Sequence, residues 1–535
     1  MTSILTSEQM RDAERAAIYG DQTTGLELME RAGRGVVESI FRHWPHFNDR
    51  THSALILCGP GNNGGDGFVV ARLLRRRGWK ITVVAASEPD QLPPDARINY
   101  QRWQSLGDVL QFSSQLGVEA QQGRWQLIVD ALFGTGLSRA ISLPLDSFVC
   151  REGLVRHKLV SIDIASGLCA DSGRVLSLRS GQKQVFGPAD LTVTFHRAKT
   201  GHVLADGPNF SGKLDIVDIG LEAPTESQLL RVREAMASAG WTKAQKSIDP
   251  FLREGSSNKY HFGHALILAG RWGRGGAARL AARSALRIGA GLVSIGCQKR
   301  AFSEHLAKPD AIMLAKIDDA DDLLKLLEDK RFTALCLGPN LGLNRARELV
   351  PAALATGRPI VLDADALTAF AQDPQELCSI LHRQCILTPH AGEFKRIFPD
   401  IYERLSEDAV SGPAFSKVQA TVAAAERAGA TVLFKGADTV IASDGEDVII
   451  NVACYGRTAP WLATAGAGDV LAGFICGLMA RGFSPHDAAE QAAWLHVECA
   501  RSFGPGLIAD DLPDELPKVF GDVLTVDSRA NISSG

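Results

Sequence analysis

The sequence predicts two α/β domains, each built on a largely parallel β-sheet. Near-continuously apolar runs of strand length recur along the chain, as is typical of strands buried on both faces of a parallel sheet. Helical stretches such as 67–78 fall between these runs, so the pattern is βαβ. The chain also has 535 residues, which exceeds the usual size of a single hydrophobic core.

The first half of the chain predicts a doubly wound sheet. Its last strand-like segment is KLDIVDIGLE (213–222), after which the pattern changes. The five earlier strands are predicted from SALILCG (53–59), ITVVAAS (81–87), QLIVDALFG (126–134), LVSIDIASG (159–167) and LTVTF (191–195).

A linker is predicted where the alternation stops. Residues 223–250 are polar and partly helical and have no buried-strand run. We therefore expect a first domain at 1–224, a linker at 225–250, a second domain at 251–520 and a tail at 521–535. The two halves share no visible repeat period, so two different domains are predicted rather than a duplication.

In the second half the alternation restarts, and the domain is predicted to end in helices around 470–481 and 486–503. Its strands are predicted from HALILAG (264–270), GLVSIGC (291–297), ALCLGP (334–339), PIVLDADAL (359–367), CILTPHAGE (385–393) and ATVLFKGADTVIAS (430–443).

Composition argues against several classes of partner. The net charge of −4 makes non-specific nucleic-acid binding an unexpected role, and we interpret LLRRRGWK (73–80) as the solvated end of a helix. The N-terminus lacks the apolar core of a signal peptide, and no apolar run is long enough to span a bilayer. The ten cysteines include no CxxC pair, so buried free thiols in a reducing cytoplasm are expected.

Polar residues follow four strands of the first half, at the edge where parallel α/β sheets bind ligands. The loop GPGNNGGDG (59–67) opens a helix, where backbone N–H groups favour an anion. It does not fit GxGxxG, and its asparagines and aspartate add side chains that a plain phosphate cradle does not need. Asp130, Asp163 and Ser166 follow two further strands, and TFHRAKTGH (194–202) contributes His196 and Lys199.

One strand-end aspartate is often only a helix cap, but four such features at one edge favour a binding site. The oxygen ligands of Asn, Asp and Ser, without His or Cys, suit a hard cation better than zinc.

The second half contains a phosphate-binding pattern at ATAGAGDVLAG (463–473). Successive N–H groups of Ala465, Gly466, Ala467 and Gly468 can form an anion-binding nest at a helix start. Asp469 then lies within reach of a hydroxyl that attacks phosphorus, as a general base. The alternative is a glycine-rich helix entry that Asp469 merely caps.

Motifs earlier in the chain favour a phosphate-binding site over a simple helix cap at Asp469. KGADT (435–439) offers a lysine and a tight turn for nucleotide phosphates, and TPHAGEF (388–394) puts His390 and Glu393 on one turn. LDADAL (362–367) places two carboxylates at a strand end, where Mg²⁺ could be held directly or through water. No GxxxxGK[ST] motif is present, so this is not a P-loop enzyme.

Both sets of motifs resemble known families, over roughly residues 5–505. The first set resembles the YjeF N-terminal domain, an NAD(P)H-hydrate epimerase with a Rossmann-like sheet, through GPGNNGGDG, VDALFGTG, SIDIASG and TFHRAKTGH. The second resembles the ribokinase-like, ADP-dependent NAD(P)H-hydrate dehydratases, through GGAARLAARSALRIGAGLVS, LGPNLG, LDADAL, TPHAGE, KGADT and TAGAGDVLAG. Fused in this order, they resemble the bifunctional nicotinamide nucleotide repair enzymes.

The resemblance implies a repair reaction on NADH and NADPH that carry water across C5–C6 of the nicotinamide ring. The epimerase interconverts the R and S hydrates. The dehydratase transfers the terminal phosphoryl group of ADP to the C6 hydroxyl of the S form, and elimination of phosphate restores the ring and leaves AMP. The implied partners are these small molecules, with neither nucleic acid nor membrane, and the family's dehydratase half often assembles into homo-oligomers.

Site residues are implied motif by motif. In the first domain, potassium would be held by Asn63, Asp130 and Ser166, with Asp163 acting in epimerisation. The hydrate and its phosphate would be held by Asn62, Asn63, Gly64, Gly65, Asp66, Gly134, Thr135, Gly136, Leu137, Ser138, Arg139, Ala140 and Asp163.

In the second domain, Asp469 would be the base, with Mg²⁺ and ADP bound beside it. The hydrate would be contacted by Ala277, Gly338, His390 and Asp469. The nucleotide would be held by Lys435, Gly436, Ala437, Asp438, Thr439 and the segment from Ala459 to Gly468, which includes Ala465, Gly466 and Ala467.

Two loops depart from the family pattern. The loop GRWGRGG (270–276) lacks the serine and methionine of GSxGMxGA, and YGRTAPWLATAGAGD replaces TGNPGMATGGTGD. These changes put the contacts of the lead-in segments in doubt, but not the phosphate nest.

Two other functions compete with repair. A small-molecule kinase with an accessory N-terminal domain would not need the first set of polar residues. A non-catalytic binding protein built on enzyme folds would not need Asp469, Asp163 and Asn63. ADP rather than ATP, and NADH rather than NADPH hydrate, are not distinguished by the residues themselves.

Overall fold

The computed structural model describes residues 3–143, 157–178, 180–222, 232–234, 259–306 and 311–532. The chain forms two compact units. The N-terminal unit comprises Thr2–Val232 and Glu407–Lys417, and the C-terminal unit comprises Arg233–Ser406 and Val418–Gly535. Apart from 232–234, the predicted linker at 225–250 lies outside the described residues.

The N-terminal unit contains a doubly wound sheet, as predicted. The strands of this unit are β1 (Ser3–Ile4), β2 (Ser53–Cys58), β3 (Lys80–Ala85), β4 (Val109–Gln111), β5 (Leu127–Ala131), β6 (Lys158–Ile162), β7 (Leu191–Phe195) and β8 (Lys213–Val217), and the doubly wound sheet contains β2 to β8. Its α-helices are Ser7–Tyr19, Gly25–His43, Asn62–Arg76, Pro94–Gln104, Ser114–Gln121, Thr200–Val203 and Gly207–Ser211.

The seven strands of this sheet lie in the order β4-β3-β2-β5-β6-β7-β8, and all neighbouring pairs are parallel. The five apolar runs and KLDIVDIGLE all correspond to strands. Strand β4 escapes prediction because it is a short edge strand, and Leu110 and Gln111 are exposed. The predicted helix at 67–78 begins earlier, at Asn62, so the motif NNGGD forms its first turn rather than a preceding loop.

The rest of the chain contributes a second set of elements. The strands are β9 (Val232–Glu234), β10 (His264–Leu268), β11 (Leu292–Cys297), β12 (Met313–Lys316), β13 (Phe332–Leu337), β14 (Ile360–Leu362), β15 (Cys385–Leu387), β16 (Thr431–Phe434), β17 (Asp438–Ala442) and β18 (Val448–Val452). The α-helices are Gly276–Arg287, Phe302–His305, Ala320–Leu326, Leu343–Leu354, Asp365–Thr368, Pro374–Cys378, Ala391–Ile397, Pro399–Ser406, Lys417–Ala428, Ala467–Ala480, Pro485–Phe503 and Leu512–Ile532.

Strands β10 to β18 lie in one sheet in the order β18-β17-β16-β15-β14-β13-β10-β11-β12. Only β17 is antiparallel to its neighbours within this series. Strands β10, β13, β14, β15 and β16 are parallel, so the loops that follow them lie at the carboxyl edge of the sheet. The predicted site residues Gly338, His390 and Lys435 belong to these loops.

The two helices predicted around 470–481 and 486–503 correspond to Ala467–Ala480 and Pro485–Phe503, and a further, unpredicted helix follows at Leu512–Ile532. It includes most of the predicted tail. Two prolines, Pro513 and Pro517, disguise it in the sequence. Its apolar face, with Leu512 and Leu516 fully buried, joins the core of this unit.

The cysteines of the described residues form no disulfide. The cysteines there are free, and all are buried except the half-buried Cys454. None of the described helices combines the length and apolar character that a bilayer crossing requires.

Small residues bring two helices of the C-terminal unit into close contact. A Cβ added at Gly473 would lie 2.3 Å from the carbonyl oxygen of Ala281, and one at Gly477 would lie 2.7 Å from that of Ala285. Helix Ala467–Ala480 therefore rests directly on the backbone of helix Gly276–Arg287. This contact positions the start of helix Ala467–Ala480, which carries Asp469.

We predict that Gly473→Ala destabilises the C-terminal unit, although alanine favours a helix by about 1 kcal/mol over glycine. The added methyl group meets backbone that cannot yield, and overpacking of this kind costs about 1–3 kcal/mol. Thermal unfolding should show a lower midpoint. Gly521→Ala is the matched control, since a Cβ there meets no atom within 4 Å. A midpoint equal to or above that of the wild type for Gly473→Ala would contradict the prediction.

Candidate active sites

The N-terminal unit has a cavity of about 540 Å³ at the carboxyl edge of its sheet. The loops after β2, β5 and β6 form its floor, and the N-terminal helices form one wall. Its lining comprises Arg11, Glu14, Ile18, Gly25, Leu28, Met29, Ala32, Pro60, Gly61, Asn62, Asn63, Asp66, Leu132 to Arg139, Asp95, Asp163, Phe195 and Ile219.

Most predicted substrate residues line this cavity, but Gly64, Gly65 and Ala140 do not. Gly64 is needed for packing, because a Cβ there would lie 2.1 Å from the carbonyl oxygen of Gly59. Likewise a Cβ at Gly65 would lie 2.5 Å from the sulfur of Met29. These two glycines let protein segments approach one another, whereas Asn62, Asn63 and Asp66 present side chains to the cavity.

A buried ion pair holds the predicted catalytic residue Asp163. Lys199, which is fully buried, places Nζ 3.0 Å from Oδ1 of Asp163, and Thr194 donates to the same oxygen at 3.0 Å. The backbone N–H of Thr135 donates to Oδ2 at 2.9 Å. Burial raises the pKa of Asp163, but Lys199 and these hydrogen bonds lower it by more, so the pKa lies below its ordinary value.

The backbone of Asp163 is itself strained into position. Its φ of +66° lies in the left-handed region that non-glycine residues rarely adopt. His202 stabilises this turn, because Nδ1 accepts the N–H of Lys199 at 2.9 Å and Nε2 therefore donates to the carbonyl oxygen of Asp163 at 2.8 Å. The motif TFHRAKTGH thus supplies Lys199 and His202 to the site, whereas its His196 is buried away from the cavity lining.

Two other carboxyl groups in the cavity have the opposite character. Burial, followed by the charge of Asp163, raises the pKa of both Asp66 and Glu14 above their ordinary values. The cavity therefore combines one carboxylate whose pKa is lowered with two carboxyl groups whose pKa values are raised. Such an arrangement can accept a proton at one position and donate one at another.

Three contributions to this cavity were missed from the sequence. Arg11 and Glu14 come from helix Ser7–Tyr19, which no strand-end pattern marks. The loop 134–140 is supported by Glu407–Lys417, a segment from the second half of the sequence: the N–H of Gly412 donates to the carbonyl oxygen of Ser138 at 3.0 Å. Only long-range packing creates these contacts, so no local signal could have identified them.

The predicted cation site lies beneath this cavity. The carboxylate of Asp130 is fully buried and accepts hydrogen bonds from Ser166, with an Oγ–Oδ1 distance of 2.6 Å and an N–Oδ2 distance of 2.9 Å. Among the described residues, no cationic side chain pairs with it. Burial raises the pKa of Asp130 to about 6, although the hydrogen bonds from Ser166 oppose the shift.

These residues fit a monovalent hard cation. Asp130 offers a single negative charge, and Ser166 Oγ and the carbonyl oxygen of Phe133, which lie 3.3 Å apart, offer neutral oxygen atoms. In the described part of the chain, no cluster of three or more His, Cys, Asp or Glu side chains forms a multivalent metal site. One carboxylate with neutral oxygen donors balances the charge of one potassium ion.

The C-terminal unit has its own cluster of ionisable groups. Lys435 Nζ lies 2.7 Å from Oδ1 of the buried Asp363 and 3.7 Å from Oε2 of Glu393. Burial lowers the pKa of Lys435, but these two carboxylates outweigh it, and the pKa is raised. The same ammonium lies 3.6 Å from where a Cβ of Gly468 would stand, so it adjoins the start of helix Ala467–Ala480.

Asp469 lies in the first turn of that helix. Burial, and then the charge of Asp363, raise the pKa of Asp469 to about 7, although Lys435 lowers it. Glycine is required just before it, since Gly466 has φ of +91°. Asp469 is therefore a carboxylate whose proton affinity matches a base that works near neutral pH.

His390 and Glu393 act first as a helix cap. The backbone N–H of Gly392 donates to Nδ1 of His390 at 2.9 Å, and the N–H of His390 donates to Oε2 of Glu393 at 2.9 Å. Nε2 of His390 lies 3.3 Å from Oε1 of Glu393, on a side chain that is 56% exposed. Both ring nitrogens of His390 therefore already have a partner on this turn.

Other predicted residues make local contacts with nearby backbone. Thr439 Oγ1 closes its own turn with Gly436, through distances of 3.1 and 2.8 Å. Gly338 has φ of +128°, and a Cβ there would lie 1.7 Å from the carbonyl oxygen of Asp363. The two carboxylates of LDADAL separate, since Asp365 accepts the N–H of Gly342 at 2.8 Å rather than joining Asp363.

The divergent loop 270–276 is closed by an internal anion. The backbone N–H groups of Gly273 and Gly275 each donate to the carboxylate of Glu304 at 2.7 Å. The predicted residue Ala277 follows in the first turn of helix Gly276–Arg287. The amides of Gly273 and Gly275 are therefore already occupied and are not available to a ligand.

Two protein-family models each match one half of the chain. The model of the NAD(P)H-hydrate dehydratase family matches residues 265–518, and that of the YjeF-related protein N-terminus matches 25–201. The chain is 34% identical over 547 residues to the bifunctional NAD(P)H-hydrate repair enzyme Nnr of Moorella thermoacetica, covering 97% of this chain and 96% of the relative.

Two further relatives match one half each. The NAD(P)H-hydrate epimerase of Rhodobacter capsulatus is 46% identical over 207 residues, covering 38% of this chain and 92% of that protein. The solved structure of the ADP/ATP-dependent NAD(P)H-hydrate dehydratase from Bacillus subtilis, co-crystallised with ATP and Mg²⁺, is 27% identical with a TM-score of 0.41. It covers 50% of this chain, and the match spans 93% of that chain.

Proposed function

The chain belongs to the family of bifunctional NAD(P)H-hydrate repair enzymes, and from this premise we propose how its two sites divide the reaction. The N-terminal unit is an NAD(P)H-hydrate epimerase, and the C-terminal unit is an NAD(P)H-hydrate dehydratase that uses a nucleotide. The observation that carries the division is that each unit holds its own buried acid–base cluster, around Asp163 in one and around Asp469 in the other. A small-molecule kinase would not need the first cluster.

In the epimerase cavity, the chemistry follows from the carbon that is inverted. C6 of the hydrate carries both the hydroxyl group and ring nitrogen N1, so the lone pair of N1 can expel the hydroxyl once it is protonated. A neutral carboxyl group, Asp66 or Glu14, supplies that proton, and water departs. The ionised Asp163 accepts a proton from the water that returns to the opposite face, which yields the other epimer.

In the dehydratase site, Asp469 accepts the proton of the C6 hydroxyl as its oxygen attacks the terminal phosphorus of ADP. The new O–P bond replaces the bond to AMP, and Lys435 with the N–H groups at the helix start stabilises the charge on the phosphoryl oxygens. Phosphate then leaves C6 with the C6–O electron pair as C5 loses a proton, and the ring double bond returns.

The nucleotide site combines Lys435 to Asp438 with the segment Ala459 to Gly468. Mg²⁺ would neutralise charge on the nucleotide phosphates, with Asp363 or Glu393 as the nearest carboxylates. Because Oδ1 of Asp363 already faces Lys435, we place the metal with the nucleotide rather than in a preformed protein cage. Thr439 contributes to the turn and not to phosphate contact. Ala277, Gly338 and His390 contact the hydrate.

Three further features complete the proposal. Potassium is held by Asn63, Asp130 and Ser166, where it would balance the buried charge of Asp130. The buried free thiols are consistent with work in the reducing cytoplasm. The active form is a homo-oligomer, in line with the family's dehydratase half.

The two sites should be separable by isosteric substitutions. Asp469→Asn should lower dehydration of the S hydrate by about 10²–10⁴-fold, as expected for loss of a general base, and leave R/S exchange intact. Asp163→Asn should do the reverse. Exchange is measured by chromatographic separation of the epimers, and dehydration by recovery of dihydronicotinamide absorbance with ADP or ATP. Loss of both activities in either folded variant would contradict the two-site proposal.

Dehydration should depend on pH through Asp469. The base is active when ionised, and its pKa is raised to about 7, so kcat/KM for the S hydrate should rise about tenfold per pH unit up to that value and then level off. Lys435→Met removes the cation that lowers this pKa and should move the midpoint to higher pH. A profile that is flat between about pH 5 and 8 would exclude Asp469 as the base.

Potassium should stabilise the N-terminal unit through Asp130. A cation bound only to the folded state stabilises by about 2.7 kcal/mol at a hundred times its dissociation constant, so the unfolding temperature should be higher in KCl than in choline chloride of equal ionic strength. Asp130→Asn keeps the shape of the side chain but removes the charge, and should unfold equally in both salts. A salt difference that persists in this variant would place the cation elsewhere.

A further inference from the structure

A second cavity, of about 500 Å³, opens at the carboxyl edge of the C-terminal sheet. Its walls come from the loops after β10 and β13, and its lining includes Arg271, Arg274, Asn340, Arg345 and Asp365. None of these residues takes part in the acid–base cluster of Asp469. We propose that this cavity binds a phosphate group of the dinucleotide hydrate, either its 2′-phosphate or its pyrophosphate.

The charge of the cavity favours an anion. Three guanidinium groups against the one carboxylate of Asp365 leave the lining with an excess of two positive charges. Within the described residues, no salt bridge neutralises Arg271 or Arg274, and the nearest partner of Arg274 is the neutral Oδ1 of Asn340 at 3.3 Å. Both side chains belong to exposed residues, so they can turn towards a ligand without losing an existing ion pair.

The third arginine forms the fixed base of the cavity. Arg345 is buried and donates to the carbonyl oxygens of Ala269, Ile317 and Asp318, at 3.3, 2.6 and 3.0 Å. All three acceptors are neutral carbonyl oxygens, and the carboxylates of Glu348 and Asp318 act on the guanidinium only through longer-range attraction. A phosphate bound above it would face this charge as well as the two mobile guanidinium groups.

The loop that carries the two exposed arginines is already ordered. Glu304 accepts the N–H groups of Gly273 and Gly275, which fixes the backbone between Arg271 and the helix start at Gly276. Preorganised loops lose less entropy when a ligand binds.

The position of the cavity matches the substrate of the neighbouring site. Asp363 belongs to the acid–base cluster, and Asp365 lines the cavity. Their Cα atoms are two residues apart, which is at most roughly 7 Å. A dinucleotide whose hydrated ring lies beside Asp469 must place its phosphates nearby. The inference rests on the proposed dehydratase function, and ADP is not the intended occupant because Lys435 and the helix start serve it.

The test is a double variant, Arg271→Ala with Arg274→Ala, assayed with NADHX, NADPHX and the nucleotide. Charge-assisted bonds of this kind justify an expected increase in KM for the hydrate of about tenfold or more, with kcat within about twofold and the KM for ADP unchanged. An increase for NADPHX alone identifies the 2′-phosphate, and an increase for both hydrates identifies the pyrophosphate. Unchanged KM values for both hydrates, or a change for ADP alone, would overturn the proposal.

Two controls separate the cavity from other effects. Arg383→Ala removes an equal charge from an arginine whose side chain is 85% exposed and paired only with the surface carboxylate of Asp444, and should leave every KM unchanged. Calorimetric titration with NADP⁺ tests the cavity without turnover: the double variant should lose one bound equivalent. If the wild-type protein binds NADP⁺ at this cavity but does not turn over the hydrate, the dehydratase function is refuted and the proposed phosphate binding by the cavity stands.

Discussion

A buried lysine–aspartate pair at the carboxyl edge of each sheet governs the chemistry of both units. Removing one partner of such a pair is costly, about 3–5 kcal/mol, because it leaves an uncompensated charge in a medium of low dielectric. In the N-terminal unit, Lys199 faces Asp163 directly and keeps the working carboxylate ionised. In the C-terminal unit, Lys435 faces Asp363 instead. Burial, followed by the negative charge of Asp363, therefore raises the pKa of Asp469.

The same type of pair therefore produces two different acid–base groups. The pKa of Asp163 is lowered, and proton donation depends on its neighbours Asp66 and Glu14, whose pKa values are raised. Asp469 titrates near neutrality and can take up and release a proton within one cycle. Epimerisation needs an acid and a base at the same time, whereas phosphoryl transfer needs one base beside a phosphate cradle. Each cluster matches the requirement of its own reaction.

Backbone geometry limits how these clusters could be arranged. Gly64 and Gly65 allow close packing around the first turn of helix Asn62–Arg76. Gly466 allows helix Ala467–Ala480 to start beside Lys435, and Gly473 allows it to rest on helix Gly276–Arg287. In loop 270–276, Glu304 occupies the amides of Gly273 and Gly275, and the arginine side chains of the loop are exposed. Glycine-rich loops in this protein thus shape the sites mainly by packing, and the ligand contacts come from the side chains and amides that the packing leaves open.

The sequence alone determined the class of fold, most strands and the identity of both clusters, because buried parallel strands produce apolar runs and site residues follow them at one edge. It identified Asp163, Asp469 and Lys435 through local motifs. Only the tertiary structure decided which carboxylates are ionised, because each pKa depends on burial and on charges from distant segments. Tertiary packing also separated Asp363 from Asp365, brought Glu14 and Glu407–Lys417 to the first cavity, and closed the 270–276 loop on Glu304. These contacts join residues far apart in the chain, and no local pattern encodes them.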